Sequence, residues 1–203
     1  MNLQSFKVVL LGVAVALSGC MTQSKYMTKT SGAAATPSPS NAVVVFLRPS
    51  SFGGAIQASV YDTGAQEDKF VGIVSAGDKL AYAAEPGDHL FMVIAENADF
   101  MIAHLDAGKT YYVDVRPRPG MWKARFSLLP IHNDPAAKYN TQSQEFQHWL
   151  EKTAWVEKGP GADQWYREHA SDIREKKLDY MRKWDRMEAS DKANLTLNPS
   201  DGK

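Results

Sequence analysis

The sequence predicts a mainly β protein, in which an antiparallel β-sandwich of seven or eight strands is followed by a C-terminal helical segment. Two observations lead to this prediction. Between residues 42 and 131, apolar and polar side chains alternate in short segments, as in strands that bury one face. Beyond Pro130 the apolar spacing changes to three and four residues, which indicates helices.

The strands are predicted from strict alternation and from the turns between them. Alternation is clearest from Ile56 to Val60, from Tyr111 to Val115 and from Trp122 to Leu128. Further strands are expected near 42–48, 69–74, 79–84, 89–96 and 100–105. Glycine, proline and short polar residues separate them and supply the φ angles that tight turns require.

The helical segment contains a long apolar stripe. Its seven members recur at steps of four and three: Tyr166, Ala170, Ile173, Lys177, Tyr180, Trp184 and Met187. One hypothesis makes this stripe a partner face centred on Ile173, Tyr180 and Trp184. The other, which we favour, packs it on the protein's own sheet or on the helix predicted from Thr141 and Gln144.

The N-terminus has the pattern of a secretion signal. Lys7 precedes an apolar run that ends at Leu17 and is too short to span a bilayer as a helix. The run is followed by Ser18-Gly19-Cys20, which with Leu17 resembles a bacterial lipobox. Cys20 is therefore the predicted lipid attachment site, and acyl chains would tether the protein to a membrane. The resemblance to bacterial lipoproteins associates an aspartate after the cysteine with retention in the inner membrane. Met21 stands at that position here, so we expect an outer-membrane, periplasm-facing location.

The same patterns divide the chain into predicted parts. Residues 20–41 are rich in Ser, Thr, Ala and Pro, which favours a flexible tether with a reach of roughly 25 Å. The complete division is: 1–19 lipoprotein signal peptide, 20–41 tether, 42–131 β-sandwich domain, 142–188 helical tail and 189–203 disordered end.

Composition and spacing exclude several classes of function. The chain has 23 basic and 23 acidic side chains, which argues against broad binding to nucleic acid. Its single cysteine excludes a disulfide framework, and no two of its five histidines have the i, i+4 spacing of a helical zinc site. Ser50 and Ser51 lie outside any Gly-x-Ser-x-Gly elbow. We therefore expect no catalytic residues, no metal and no cofactor.

Basic side chains near one predicted sheet edge form a candidate binding set. An anionic glycan or a lipid headgroup would be the ligand. The alternative, which we favour, is that these charges prevent edge strands from pairing with other molecules. The set comprises Arg48, Arg116, Arg118, Lys123 and Arg125.

Three motifs in order resemble a family of bacterial lipoproteins of unknown function. They are Arg48-Pro49-Ser50-Ser51-Phe52-Gly53-Gly54, Glu85-Pro86-Gly87-Asp88-His89 and Ala107-Gly108-Lys109-Thr110-Tyr111-Tyr112-Val113. The resemblance covers residues 42–131 and implies a fold similar to the PEGA-type surface β-sandwich. It implies no catalytic residues.

Two functions remain open. The first is a non-enzymatic envelope lipoprotein that acts as a structural or protein-interaction module. The second is a module that binds cell-wall or surface glycan through aromatic side chains such as Tyr61, Tyr112 or Trp155. A flat sheet with an exposed apolar helix face would favour the first, and a concave pocket with convergent polar groups would favour the second.

Overall fold

The computed structural model describes residues 22–64, 67–119 and 125–203, which form two β-sheets packed face to face with a helix on each outer face. The elements, in chain order, are β1 (Met27–Lys29), β2 (Ala42–Leu47), β3 (Ala58–Thr63), β4 (Asp68–Val74), β5 (Asp78–Ala84), β6 (Gly87–Ile94), β7 (Ala98–Leu105), β8 (Thr110–Arg118), β9 (Arg125–Ile131), α1 (Gln144–Lys152), β10 (Ala154–Lys158), α2 (Ala162–Asp185), α3 (Ala189–Ala193), β11 (Thr196–Leu197) and a 3-10 turn (Pro199–Asp201).

The two sheets are mixed, so the prediction of a purely antiparallel sandwich is wrong. The first sheet has the strand order β1-β10-β5-β2-β8-β9, and the second has β11-β7-β6-β3-β4. Pairing is parallel between β2 and β8, between β10 and β5, and between β11 and β7. Alternation of apolar and polar side chains shows which face of a strand is buried, but it does not show whether neighbouring strands run parallel or antiparallel. Parallel neighbours also need long connections, which this chain provides.

The main core lies between the sheets, and β2 is buried on both of its faces. Val44 and Phe46 point into the space between the sheets, where Phe46 meets Phe91 edge to face at 5.2 Å. Val43 and Val45 point outward and are covered by α1. A strand covered on both faces is continuously apolar, which explains the run from Ala42 to Leu47.

The long helix α2 crosses the outer face of the second sheet. Ile173 and Trp184 are buried there, Tyr180 is partly buried, and the Trp184 ring lies 5.7 Å from that of Phe100 on β7. The stripe predicted as a candidate partner face is therefore covered by the protein's own sheet. None of the helices in the described part of the chain is both long and apolar enough to cross a membrane.

Both segments predicted to lack structure contain ordered elements. In the predicted tether, β1 pairs with β10, so only part of 20–41 could serve as a tether. In the predicted disordered end, Thr196 and Leu197 extend the second sheet beside β7, and the backbone of Lys203 exchanges two hydrogen bonds with Thr110. These segments lack an apolar period because they are held through their backbones at sheet edges. The strand β10 likewise interrupts the predicted helical tail.

Candidate ligand-binding site

A cavity of about 210 Å³ lies between α2 and the second sheet. It forms where the helix passes over the start of β3, the end of β4 and the turn after β6. The small side chains of Ser59 and Ala95 leave space at that point. The lining residues are Tyr26, Gln57, Ser59, Tyr61, Ile73, Ile94, Ala95, Trp165, His169, Asp172, Ile173 and Lys176.

The most unusual group in this cavity is the hydroxyl of Tyr61. Tyr61 is fully buried, and its hydroxyl makes no hydrogen bond of good geometry among the described residues, although the Ser59 hydroxyl lies close enough to lower its pKa slightly against the effect of burial. The hydroxyl of Ser59 lies in the same cavity but donates to the Ile94 carbonyl oxygen, at 3.2 Å. Burial raises the pKa of Tyr61 well above its usual range, so the phenol stays neutral. An unpaired buried hydroxyl costs free energy, and a ligand could pair with it only if the side chains that cover the hydroxyl move aside.

Aromatic rings form one wall of the cavity. Trp165 stacks on His169 with ring centroids 4.8 Å apart and lies 5.8 Å from the ring of Tyr26. On the inner side, Tyr61 packs against Phe70 at 5.6 Å. The wall therefore offers aromatic faces next to a buried hydroxyl.

The charged groups at the cavity have opposite signs. Lys176 comes from α2 and donates from Nζ to the Ala95 carbonyl oxygen at 2.8 Å, and Asp172 lies one helical turn earlier. The site therefore has no net charge that would attract an anion or a cation. With aromatic walls and a few polar groups, it has the composition of a pocket for a small neutral molecule.

Sequence reasoning missed most of these residues. On α2, Trp165, His169, Asp172 and Lys176 recur at steps of three and four directly beside the apolar stripe. That spacing could have indicated a second, mixed face of the helix. Nothing in the sequence indicated that Gln57 and Ser59 would lie opposite it.

The aromatic residues named for glycan binding do not lie together. Tyr61 is buried rather than exposed. Tyr112 and Trp155 belong to the first sheet, where Tyr112 meets Phe146 at 4.9 Å and Trp155 lies beneath the ammonium group of Lys79. Only Tyr61 lines the cavity beneath α2.

The predicted basic set is also divided. Arg118 and Arg125 pair across β8 and β9 and line a second cavity of about 200 Å³, where Arg118 donates to Asp99 at 3.0 Å. Arg116 turns to the other side, where it donates to Asp114 and its guanidinium lies 4.3 Å from the Tyr139 ring centroid. Lys123 lies outside the described residues, as does Cys20.

Arg48, predicted as a surface charge, is fully buried. Its guanidinium donates to the carbonyl oxygens of Phe52, Gly53 and Ile56, at 3.2, 2.8 and 2.5 Å. Burial lowers its pKa to about 10, which leaves it charged at neutral pH. The Arg-Pro-Ser-Ser-Phe-Gly-Gly motif is thus a loop held from inside by its first residue.

A wider depression of about 610 Å³ lies beside His132 and Asp201. Asp201 accepts from Nδ1 of His132 at 3.0 Å and from the backbone N–H groups of Asn133 and Asn198. These bonds hold the final 3-10 turn against β9, so the pair is structural. Among the described residues, no group of three or more His, Cys, Asp or Glu could hold a metal ion.

His89 is held between two hydrogen-bond acceptors. Its Nδ1 lies 2.9 Å from Oδ2 of buried Asp62, and its Nε2 lies 2.8 Å from the backbone oxygen of Glu85. A neutral imidazole carries one N–H, so only the protonated ring can donate to both acceptors. The hydrogen bond to Asp62 raises the pKa of His89 above its ordinary value, although burial opposes it.

We therefore expect stability to decrease as the pH rises. Because the folded-state pKa exceeds the unfolded value of about 6.5, the contribution of His89 is complete below that pH and is lost as the pH rises through the folded-state pKa. His132 acts in the same direction through Asp201. Urea unfolding as a function of pH should show that the free energy of unfolding falls less with rising pH in His89→Gln than in the wild type. An unchanged slope would contradict this account, and His148→Gln, at an exposed site, is the control.

The Tyr61 hydroxyl gives a second prediction. Tyr61→Phe removes an unpaired group, so the free energy of unfolding of the ligand-free protein should stay unchanged or rise by up to about 1 kcal/mol. Tyr82→Phe is the matched control, because the Tyr82 hydroxyl donates to Asp62 at 3.0 Å. That variant should lose about 1–3 kcal/mol. Urea unfolding measures both, and an equal loss in the two variants would mean that Tyr61 has a partner.

No protein-family model and no curated protein sequence matches this chain. The fold and the site define a mainly β, two-sheet protein with a cavity of about 210 Å³ beneath α2. The resemblance to bacterial lipoproteins stays a prediction from three motifs.

Proposed function

We propose that this protein is a membrane-anchored, non-enzymatic envelope lipoprotein that binds a small neutral glycan unit beneath α2. The observation that carries the proposal is a cavity whose walls combine the aromatic rings of Tyr26 and Trp165 with a few polar side chains, with the buried Tyr61 among its lining residues. Of the two functions left open by the sequence, ligand binding has the stronger support. An exposed apolar helix face would have favoured the interaction module, and α2 buries that face on the second sheet.

The size and chemistry of the cavity support one sugar ring as the ligand. Its volume of about 210 Å³ is below the roughly 300–1,000 Å³ of sites for drug-sized molecules. A pyranose ring has apolar C–H faces for the rings of Trp165 and Tyr26, and hydroxyls for Tyr61 and Gln57. The opposite charges of Asp172 and Lys176 favour a neutral sugar over an acidic one.

Calorimetric titration with N-acetylglucosamine and with glucose tests this proposal. We expect the wild type to bind at least one of them, and Tyr61→Phe to bind it about tenfold more weakly, since one hydrogen bond contributes about 1.4 kcal/mol. Tyr112→Phe is the matched control, because it makes the same change on the other sheet, and should bind as the wild type does. Absence of binding by the wild type, or equal weakening in both variants, would contradict the proposal.

The anchor is tested separately. Cys20→Ser removes the sulfur to which the lipid would attach, so an uncleaved precursor should accumulate. Mass spectrometry of the membrane fraction should find the wild type shortened to Cys20 and carrying acyl chains. A Cys20→Ser protein that is processed normally and fractionates with the same membrane would contradict the lipobox interpretation.

A further inference from the structure

The first described residues are fixed to one end of the sandwich. The backbone N–H of Thr22 donates to the Gly54 carbonyl oxygen at 3.3 Å. Gln23 donates from its side chain to the Ala76 carbonyl oxygen, and Ser24 is buried and donates from its backbone to Oγ of Ser75. The chain therefore enters the domain against two loops, 49–57 and 75–77.

This docking limits how far the domain can lie from the proposed anchor. Only Met21 separates Cys20 from Thr22, so their Cα atoms are at most about 7 Å apart. The headgroup layer of one leaflet is itself about 5–8 Å thick. If Cys20 carries the lipid, as proposed above, this end of the sandwich must lie at the lipid surface.

The loop that receives Thr22 presents an exposed aromatic ring. Phe52 is 54% exposed and lies two residues before Gly54. Phe52 and Leu178 are the exposed large apolar side chains in the described part of the chain. Arg48 holds the carbonyl groups of Phe52 and Gly53 from the inside. The backbone of the loop is therefore anchored while its ring faces solvent.

A basic side chain lies at the same end. β2 and β8 are parallel neighbours, so the loop after β2 and the C-terminal end of β8 lie at the same end of the first sheet. A Cβ on Gly53 would lie 3.9 Å from Pro117, and the next residue, Arg118, is half exposed. Arg118 is also paired with Asp99 at 3.0 Å. Apolar aromatic and basic side chains together are typical of protein surfaces that bind at the membrane interface.

We propose that the 49–57 loop is a membrane-contact surface that inserts Phe52 into the interfacial layer of the bilayer bearing the Cys20 anchor. This inference rests on the proposed lipid anchor and is independent of the glycan site. The contact sets the orientation of the domain, with the strands meeting the membrane by this end. Gln57, which lines the cavity beneath α2, belongs to this loop.

Site-specific fluorescence on the lipidated protein tests this surface. The acylated protein is reconstituted into phosphatidylethanolamine–phosphatidylglycerol vesicles, with Phe52→Cys or Leu178→Cys labelled by the polarity-sensitive dye NBD. Leu178 is the matched control, because it is 57% exposed but lies on α2. Brominated lipids should quench the probe at position 52 several-fold more strongly than the probe at position 178, with a blue-shifted emission at position 52.

A second pair of variants tests the contribution of the Phe52 ring. With a probe at Ser51→Cys and Phe52 intact, adding Phe52→Ser should reduce quenching to the level of position 178. Equal quenching at positions 52 and 178 on a protein shown by mass spectrometry to be acylated would overturn the membrane-contact surface alone. A protein without acyl chains on Cys20 would overturn both the anchor and this surface.

Discussion

Replacing Arg48 by methionine is expected to lower the free energy of unfolding by about 3–5 kcal/mol. Methionine fills similar space but donates nothing. The carbonyl oxygens of Phe52, Gly53 and Ile56 would then stay buried or half-buried without their charged donor. Hydrogen bonds to a charged group contribute about 1.5–3 kcal/mol each, and the loop can recover part of the loss by opening to water.

Urea unfolding of Arg48→Met against Arg118→Met measures this effect. Arg118 makes one ion pair, with Asp99, and its side chain is half exposed, so its removal should cost less than about 1 kcal/mol. Arg48→Met should also give the 49–57 loop faster hydrogen exchange. Equal stability losses in the two variants would show that Arg48 is not the residue that holds the loop.

Replacing Trp184 by alanine is expected to cost about 3–5 kcal/mol, because it empties the contact between the last turns of α2 and the second sheet. Trp184 is 6% exposed and packs against Phe100. The sheet that covers Trp184 belongs to the same chain, so the loss of free energy of unfolding should not depend on protein concentration.

Thermal unfolding at several protein concentrations measures this second effect. Leu178→Ala is the control on the same helix, since Leu178 is exposed and should change the midpoint little. A thermal midpoint that rises with protein concentration in the wild type but not in Trp184→Ala would contradict this. It would mean that the stripe packs against a second copy of the chain instead of the sheet.

Much of the strand layout could be predicted from the sequence. All eight predicted segments between 42 and 131 correspond to β2 through β9, because alternation directly reports which face is buried. The pairing of β2 with β8 could not be predicted in this way, since direction depends on connections distant in sequence. The short strands β1, β10 and β11 were missed because they carry little apolar alternation; β1 and β11 lie at sheet edges, and β10 lies between β1 and β5.

The candidate site was largely beyond sequence reasoning. Arg48 looks like any charged residue at the end of a strand, and only the folded loop shows that carbonyl groups surround it. Tyr61 sits in an alternating strand as a plain core residue, and its unpaired hydroxyl depends on what α2 places opposite it. The stripe containing Ile173 and Trp184 was recognisable as an apolar face, but the sequence could not show which surface packs against it, because that depends on the tertiary structure.

A backbone amide NMR titration of the wild type with N-acetylglucosamine tests the central claim most directly. We predict saturable chemical-shift changes at Gln57, Ala95 and Lys176 and at the Trp165 indole, all of which line the cavity beneath α2. Asn133, beside the pair of His132 and Asp201, serves as an internal control and should not shift. Absence of saturable shifts around α2, or shifts confined to the depression beside His132, would contradict the proposed site.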